Sequence, residues 1–218
     1  MQRSDFEIMA PAGSRETLAA ALQAGADSVY FGIGALNMRA HSAGGFTIDD
    51  LNEIAALCRE HGAKSYLTVN TVIYDGDLAA MREIVSAAKA AGVSAVIASD
   101  VAVMQCCREL GVEVHLSTQL NIANVEALRF YAQFADVVVL ARELSFAEIA
   151  AIRAHTPPEL ELEAFVHGAM CVSFSGRCLL SNYLTGRDAN RGRCAQPCRW
   201  KYGLTEAKRP GQVFDITE

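Results

Sequence analysis

Four cysteines lie close together near the end of the chain and have the spacing C-x6-C-x15-C-x3-C. They are Cys171, Cys178, Cys194 and Cys198. Four thiolates match a tetrahedral zinc site and an iron–sulfur cluster equally well in number. The C-x3-C pair has zinc-like spacing, whereas C-x6-C is wider than is usual in structural zinc sites. Arg177, Arg193 and Arg199 flank these cysteines and would offset thiolate charge. Zinc, an iron–sulfur cluster and four reduced thiols therefore all remain open on spacing alone.

The other three cysteines, Cys58, Cys106 and Cys107, lie among apolar residues in helical stretches. They are expected to be small core side chains. The total of seven cysteines is odd, and the first residues, MQRSDFEIMAPAG, lack the apolar region of a secretory signal. We therefore expect a cytoplasmic protein without a disulfide framework.

Polar side chains end several short apolar runs of the sequence. They are Asn70, Ser99, Asp100, Ser117, Gln119, Arg142, Glu143 and His167. In a barrel of parallel strands the carboxyl ends of the strands converge on one face, where the active site lies. Because an unpaired polar group inside a barrel is costly, these side chains are expected to bond to one another or to a ligand.

Strand alternation predicts which side chains point into the barrel. The inward residues are expected to be Glu161, Glu163, Phe165 and His167 in 160–168, His115, Ser117 and Gln119 in 113–119, and Val138, Leu140 and Arg142 in 138–142.

Seven apolar runs alternate with helical stretches from the N-terminus to Gly168. The runs are 7–13, 28–34, 65–70, 95–100, 112–118, 137–142 and 160–168, and the helical stretches include 15–24, 77–90, 101–109, 124–133 and 145–154. Stops such as AGVS (91–94) and LGVE (110–113) place a glycine just past a helix, where it caps the helix end. The alternation predicts an α/β fold with a parallel sheet, and seven repeats without GxGxxG favour a TIM-barrel-like (β/α) barrel.

The eighth strand of such a barrel is not visible, so the barrel is expected to be incomplete. We divide the chain into a barrel domain, 1–168, and a Cys-rich, basic, metal-binding segment, 169–218. The segment carries eight Lys and Arg against four acids, although the whole chain has a net charge of −6. With 51% hydrophobic residues among 218, disorder is excluded. A membrane span is also excluded, because no apolar window is long enough.

The sequence FVHGAMCVSFSGRCLLS (165–181) resembles the signature of the collagenase-like peptidase family, whose catalytic type has not been assigned. The resemblance extends to MAPAG (9–13), GADSVYFG (25–32), LSTQLNIAN (116–124), ARELSFAEI (141–149), NRGRCAQPCRWKYG (190–203) and DITE (215–218). It therefore covers nearly the whole chain. Members of this family normally continue beyond the cysteine segment.

Within the family, the chain is most similar to the branch of tRNA 5-hydroxyuridine synthases. The resemblance implies hydroxylation of a tRNA wobble uridine without molecular oxygen, using prephenate. Sister branches hydroxylate ribosomal RNA cytidine or ubiquinone precursors and carry a [4Fe–4S] cluster. The resemblance implies that Cys171, Cys178 and Cys194 bind such a cluster. Cys198 is the fourth ligand of this segment, although in relatives the fourth ligand can lie further along the chain; zinc is the alternative metal.

These observations lead to three functional hypotheses. The first is an iron–sulfur RNA hydroxylase with a catalytic group of His167, Arg142, Gln119 and Asn70, and with Ser117, Asn121, Glu143 and Arg177 on the substrate. In this hypothesis His167 acts as the general acid and base, and Arg142 binds a carboxylate of the substrate. The basic segment contacts tRNA phosphates. The second is a peptidase with a Cys171–His167 pair, although G-x-S-x-G and H-E-x-x-H are absent from the sequence. The third is a non-catalytic iron–sulfur partner subunit, and a homo-oligomer is also compatible with the sequence.

Overall fold

Seven parallel strands form one sheet in the computed structural model of the chain, which describes residues 2–38, 40 and 45–215. The strands are β1 (Met9–Pro11), β2 (Ser28–Gly32), β3 (Lys64–Val69), β4 (Ala95–Ala98), β5 (Val114–Leu116), β6 (Val137–Val139) and β7 (Glu161–Glu163). They are ordered in the sheet as in the sequence, and each neighbouring pair is parallel. The predicted α/β class and its seven strands are confirmed. Across the described ranges, no eighth strand joins β7 to β1.

The sheet is curled like part of a barrel, as one side-chain contact shows. Tyr66 on β3 stacks against His115 on β5, and their ring centroids are 4.4 Å apart. In a flat sheet these strands, separated by β4, would lie about 10 Å apart. The inner face is therefore concave, as the predicted TIM-barrel-like fold requires.

Helices follow most of the strands and cover the outer face of the sheet. They are α1 (Arg15–Gln23), α2 (Leu51–Glu60), α3 (Leu78–Ala91), α4 (Val101–Leu110), α5 (Val125–Tyr131) and α6 (Phe146–Ala154). The predicted glycine caps are confirmed at α3 and α4: the C-cap residues Gly92 and Gly111 have φ of 74° and 64°. This left-handed conformation is open to glycine at little cost.

The segment after Gly168 contains structure that the sequence did not predict. A short helix, α7 (Leu180–Thr185), precedes an antiparallel hairpin of β8 (Gly203–Glu206) and β9 (Arg209–Asp215). Of the family-like DITE stretch, residues 216–218 lie outside the described residues.

The main core lies between the sheet and the helices. It includes the predicted buried cysteines Cys58, Cys106 and Cys107. It also includes Val138 and Leu140. The prediction that these two side chains point into the barrel is therefore wrong. The register pairs Val137 with inward-facing His115, and Val137 and Val139 therefore face the barrel interior. All four residues from 137 to 140 are apolar, so their sequence held no alternation from which to read the phase.

None of the helices in the described part of the chain is both long and apolar enough to cross a membrane.

Candidate functional site

Polar side chains from neighbouring strand ends meet at the carboxyl face of the barrel. Asn70 follows β3, while Ser117 and Gln119 follow β5. The Asn70 amide donates to Ser117 Oγ at 3.1 Å and to Gln119 Oε1 at 3.2 Å. Ser117 also donates to Gln119. The structure therefore joins three of the sequence-predicted site residues in one hydrogen-bonded group.

This group is further fixed by the backbone around it. The Met38 N–H donates to Asn70 Oδ1 at 3.1 Å, and Ser99 Oγ donates to the Asn70 carbonyl at 2.8 Å. Asn121 adopts the left-handed conformation, with φ of 53°, and donates to the Gln119 carbonyl at 2.8 Å. Asn121 therefore shapes the turn that presents Gln119. Asp100, in contrast, caps α4 by accepting from the Ala102 N–H at 2.9 Å.

The cysteine segment is attached to the mouth of the barrel by an ion pair. Arg191 donates to both carboxylate oxygens of Asp77, just before α3, at 2.6 and 3.2 Å. It also donates to the Val72 carbonyl at 2.7 Å. The Arg191 hydrogen bond lowers the pKa of Asp77. Next to this pair, Gly192 lies so close to the barrel that a Cβ on it would stand 2.1 Å from the Asn37 carbonyl oxygen.

A cavity of about 320 Å³ lies between the strand ends and the cysteine segment. The barrel contributes Met38, Asn70, Val72, Ser99, Gln119 and Leu120; the segment contributes Ser175, Gly176, Arg177, Cys178, Leu179, Asn182, Asp188, Ala189 and Asn190. This volume is within the range of small-ligand sites. The mixture of amides, hydroxyls and one guanidinium suits a polar ligand with both donors and acceptors.

Arg142 lies behind this cavity. Its guanidinium donates to Ser175 Oγ and lies 5.2 Å from the centroid of the Phe165 ring. Ser175 is buried and lines the cavity. Arg142 therefore holds part of the cavity wall in place.

The structure does not bring His167 and Glu143 into the cavity. His167 is exposed in the loop after β7, which ends four residues earlier at Glu163. Glu143 is exposed before α6. Neither residue lines the cavity, so their predicted roles remain predictions.

The four clustered cysteines lie on loops of the segment at the cavity and beyond it. Cys178 lines the cavity, while Cys171, Cys194 and Cys198 are exposed. Backbone N–H groups donate to two of the sulfurs, from Leu180 to Cys178 at 3.4 Å and from Gln196 to Cys194 at 3.3 Å.

By residue type, this set fits a metal or cluster with soft thiolate ligands. By position it does not, because no three Cys, His, Asp or Glu side chains of the described residues converge as a metal site. Gln196, between Cys194 and Cys198, has a φ of 56°, an unusual conformation for a residue that is not glycine.

Several cavity residues were missed by the sequence reasoning, notably Ser175, Asn182 and Asp188. Asn182 donates to Asp188 at 2.6 Å, which ties α7 to the loop before Arg191. Ser175 and Asn182 lie in or beside the SFSGRCLLS motif, and their polarity within it was the available signal. Asp188 had no comparable signal.

A second polar cluster lies inside the barrel. Tyr66 donates to Glu7 Oε1 at 2.5 Å, and Lys64 donates to Glu7 Oε2 at 2.8 Å. Burial would raise the pKa of Glu7, but these hydrogen bonds lower it overall. In the described part of the chain, no hydrogen bond or ion pair reaches the carboxylate of Glu163. Burial, assisted by repulsion from Glu7, raises the pKa of Glu163 to about 7.

The Glu163→Gln variant is expected to be more stable than the wild type above neutral pH. The folded protein binds the Glu163 proton more tightly than the unfolded chain does. Loss of this proton therefore lowers the free energy of unfolding of the wild type as pH rises from about 4.5 to about 7. We expect a gain in the free energy of unfolding of roughly 2 kcal/mol at pH 8 that shrinks steadily toward pH 5. Urea titrations across this range measure it, with exposed Glu159→Gln as the control. A difference independent of pH would contradict the prediction.

The sequence profile described as peptidase family U32 matches residues 13–216. The chain belongs to peptidase family U32. A U32 relative named "Collagenase", from Porphyromonas gingivalis, is 56% identical over 99% of this chain and 54% of its own length. A U32 relative named "tRNA hydroxylation protein P1", from Bacillus subtilis, is 40% identical over 91% of this chain and 47% of its own length.

The solved structure of a U32 peptidase matches the fold with a TM-score of 0.60 and 16% identity, over 72% of this chain and 67% of that one. At that identity the match concerns the fold alone. The present chain spans about half the length of the curated U32 relatives described above.

Proposed function

We propose that this chain forms the barrel and cysteine segment of an RNA-modifying hydroxylase that acts on a tRNA uridine. One observation carries the proposal: the strand ends and the cysteine segment build a single cavity, lined by Asn70, Gln119 and Cys178. The motif that marks the family thus meets the catalytic face of the barrel. The name of the Bacillus subtilis relative supports the choice of tRNA. A tRNA substrate would place the protein in the cytoplasm.

The amides of the cavity would bind the pyrimidine. Uracil presents two carbonyl acceptors and one N–H donor, and an amide side chain offers both a donor and an acceptor. Asn70 and Ser117 both donate to the Gln119 side-chain oxygen, so the Gln119 amide N–H groups are oriented to bind the base edge with little reorganisation.

Arg177 would bind the carboxylate of the oxygen-donating substrate, for which prephenate is proposed. Arg177 is exposed, lines the cavity and has no carboxylate partner among the residues the structure describes. Arg142 would position Ser175 behind it. His167 keeps its proposed acid–base role, which requires the loop after β7 to fold toward the cavity when substrate binds.

A [4Fe–4S] cluster on Cys171, Cys178, Cys194 and Cys198 is part of the proposal. Thiolate ligands must converge on the metal, so loading is expected to draw the four loops of the segment together. Zinc is the alternative metal, since it accepts the same donors.

Anaerobic purification with iron, sulfide and visible-absorption measurements tests the cofactor. We expect a coloured protein with near-equal iron and sulfide; a colourless protein with one zinc would overturn the cluster. Mass spectrometry of tRNA from a strain lacking the gene tests the reaction, and loss of hydroxyuridine is expected. Unchanged tRNA would overturn the tRNA assignment.

A peptidase is the second candidate, because the 56% identical relative is named a collagenase. It would use Cys171 as the nucleophile and His167 as the base. Both are exposed, but within the described ranges no hydrogen bond joins them. Gelatin cleavage by the purified protein that disappears in Cys171→Ala would support this candidate, whereas cleavage that persists would exclude the thiol as nucleophile.

A further inference from the structure

Beside the cavity, the cysteine segment presents an exposed surface of aromatic and arginine side chains. We call this surface the rim; it comprises Leu179, Tyr183, Arg193, Arg199 and Trp200. Tyr183 is 84% exposed and Trp200 is 41% exposed. Contiguous exposed apolar patches mark interaction sites, whereas a single exposed ring needs no such explanation.

Helix α7 connects the rim to the cavity. Leu179, just before the helix, lines the cavity, and the Tyr183 N–H donates to the Leu179 carbonyl at 2.9 Å. Residues four apart lie on the same face of a helix. The Tyr183 ring therefore stands one turn from the cavity mouth. The turn at Pro197–Arg199 packs against α7, so Arg199 and Trp200, which follows the turn directly, lie beside this helix.

The charge of this region is strongly positive. Residues 169–202 contain six arginines and lysines and a single acid, Asp188. Arg191 is neutralised by Asp77. Arg193 and Arg199 are exposed, and in the part of the chain that the structure describes neither has a carboxylate within ion-pair distance. Two uncompensated guanidinium groups are therefore available to an anionic partner.

Aromatic rings and unpaired arginines together favour one kind of partner. Single-stranded nucleic acid offers bases that stack on aromatic side chains and phosphates that pair with arginine. An apolar protein partner would match Tyr183 and Leu179 but would leave Arg193 and Arg199 desolvated without counter-charges.

We propose that the rim binds a single-stranded stretch of RNA, with one base stacked on Tyr183 and the flanking phosphates on Arg193 and Arg199. The neighbouring base would then be unstacked from the strand and enter the cavity beside Leu179. This inference rests on the proposed function in taking RNA as the substrate. It identifies the surface that would hold the RNA strand while the target base is unstacked from its neighbours.

Binding of a fluorescently labelled RNA hairpin with a single-stranded, uridine-containing loop tests the proposal. Anisotropy of the full chain is measured with this hairpin and with the same RNA annealed to its complement. We expect the hairpin to bind more tightly than the duplex. Tyr183→Ala should weaken hairpin binding about tenfold or more, because a stacking contact is lost. Tyr183→Trp should retain binding, since it keeps the stacking surface.

Matched controls separate the rim from general effects. Phe130→Ala removes another exposed aromatic ring, at the end of α5, and should leave the affinity unchanged. Arg193→Ala should reduce the salt dependence of binding by about one counterion, whereas Arg59→Ala, an exposed arginine at the end of α2, should not. Equal thermal unfolding temperatures for all variants would show that the fold is intact.

Three results would overturn the proposal that the rim binds RNA. They are wild-type affinity in Tyr183→Ala, equal binding of hairpin and duplex, and a change in self-association rather than RNA binding, which would mark a protein interface. The assay requires neither turnover nor a metal. Rim-dependent RNA binding without any loss of hydroxyuridine in the deletion strain would therefore leave this inference standing and overturn the proposed function alone.

Discussion

The Gly192→Ala variant is expected to detach the cysteine segment from the barrel. An added Cβ would stand 2.1 Å from the Asn37 carbonyl oxygen, and backbone cannot yield as a flexible side chain does. The φ of 72° adds strain for any residue with a Cβ. We expect a loss of about 3 kcal/mol or more in the free energy of unfolding, measured by urea titration. Limited proteolysis should then cut within 169–201 faster than in the wild type.

Gly186→Ala is the matched control for this substitution. Gly186 has nearly the same backbone conformation, with φ of 66°, but nothing lies within 4 Å of its added Cβ. It should therefore show only the conformational cost, about 1 kcal/mol. Equal losses in the two variants would mean that the contact with Asn37 does not hold the segment.

The Asn70→Ala variant is expected to lower both the stability of the protein and the activity proposed for the cavity. Asn70 is buried and joins Met38, Ser117 and Gln119 through three hydrogen bonds of 3.1 to 3.2 Å. Its removal takes the acceptor from the Met38 N–H and the donor from Ser117 Oγ and Gln119 Oε1, which should cost about 2 kcal/mol of stability. Without Asn70, Gln119 would lose one of the two hydrogen bonds to its side-chain oxygen, and we expect the rate of the proposed uridine hydroxylation to fall about 100-fold.

Single-turnover hydroxylation of tRNA and urea unfolding measure these two effects. Asn52→Ala, an exposed residue on α2, provides the control, because it changes the same side chain without a buried partner. Hydroxylation at the wild-type rate in a folded Asn70→Ala protein would overturn the assignment of the proposed reaction to this cavity.

Periodic parts of the chain were predictable because local rules decide them. Alternating apolar runs and helices specified the parallel sheet, and its parallel order placed Asn70, Ser117 and Gln119 on one face. The failure at Val138 and Leu140 has the same origin, because a run in which every residue is apolar carries no signal of which face is inside. His167 was placed by extending the alternation of 160–168 past Glu163, where the strand ends.

The sequence by itself determined the fold class, the family motif and three strand-end residues of the cavity, Asn70, Ser99 and Gln119. Only the tertiary structure decided that the cysteine segment closes that cavity, with Ser175 and Asn182 in its wall. The segment has no long periodic element, so its position depends on contacts between residues far apart in sequence. Arg191 meets Asp77 across 114 residues, and Gly192 fits against Asn37 because it has no side chain. Such contacts depend on distance in space, which a sequence pattern does not encode.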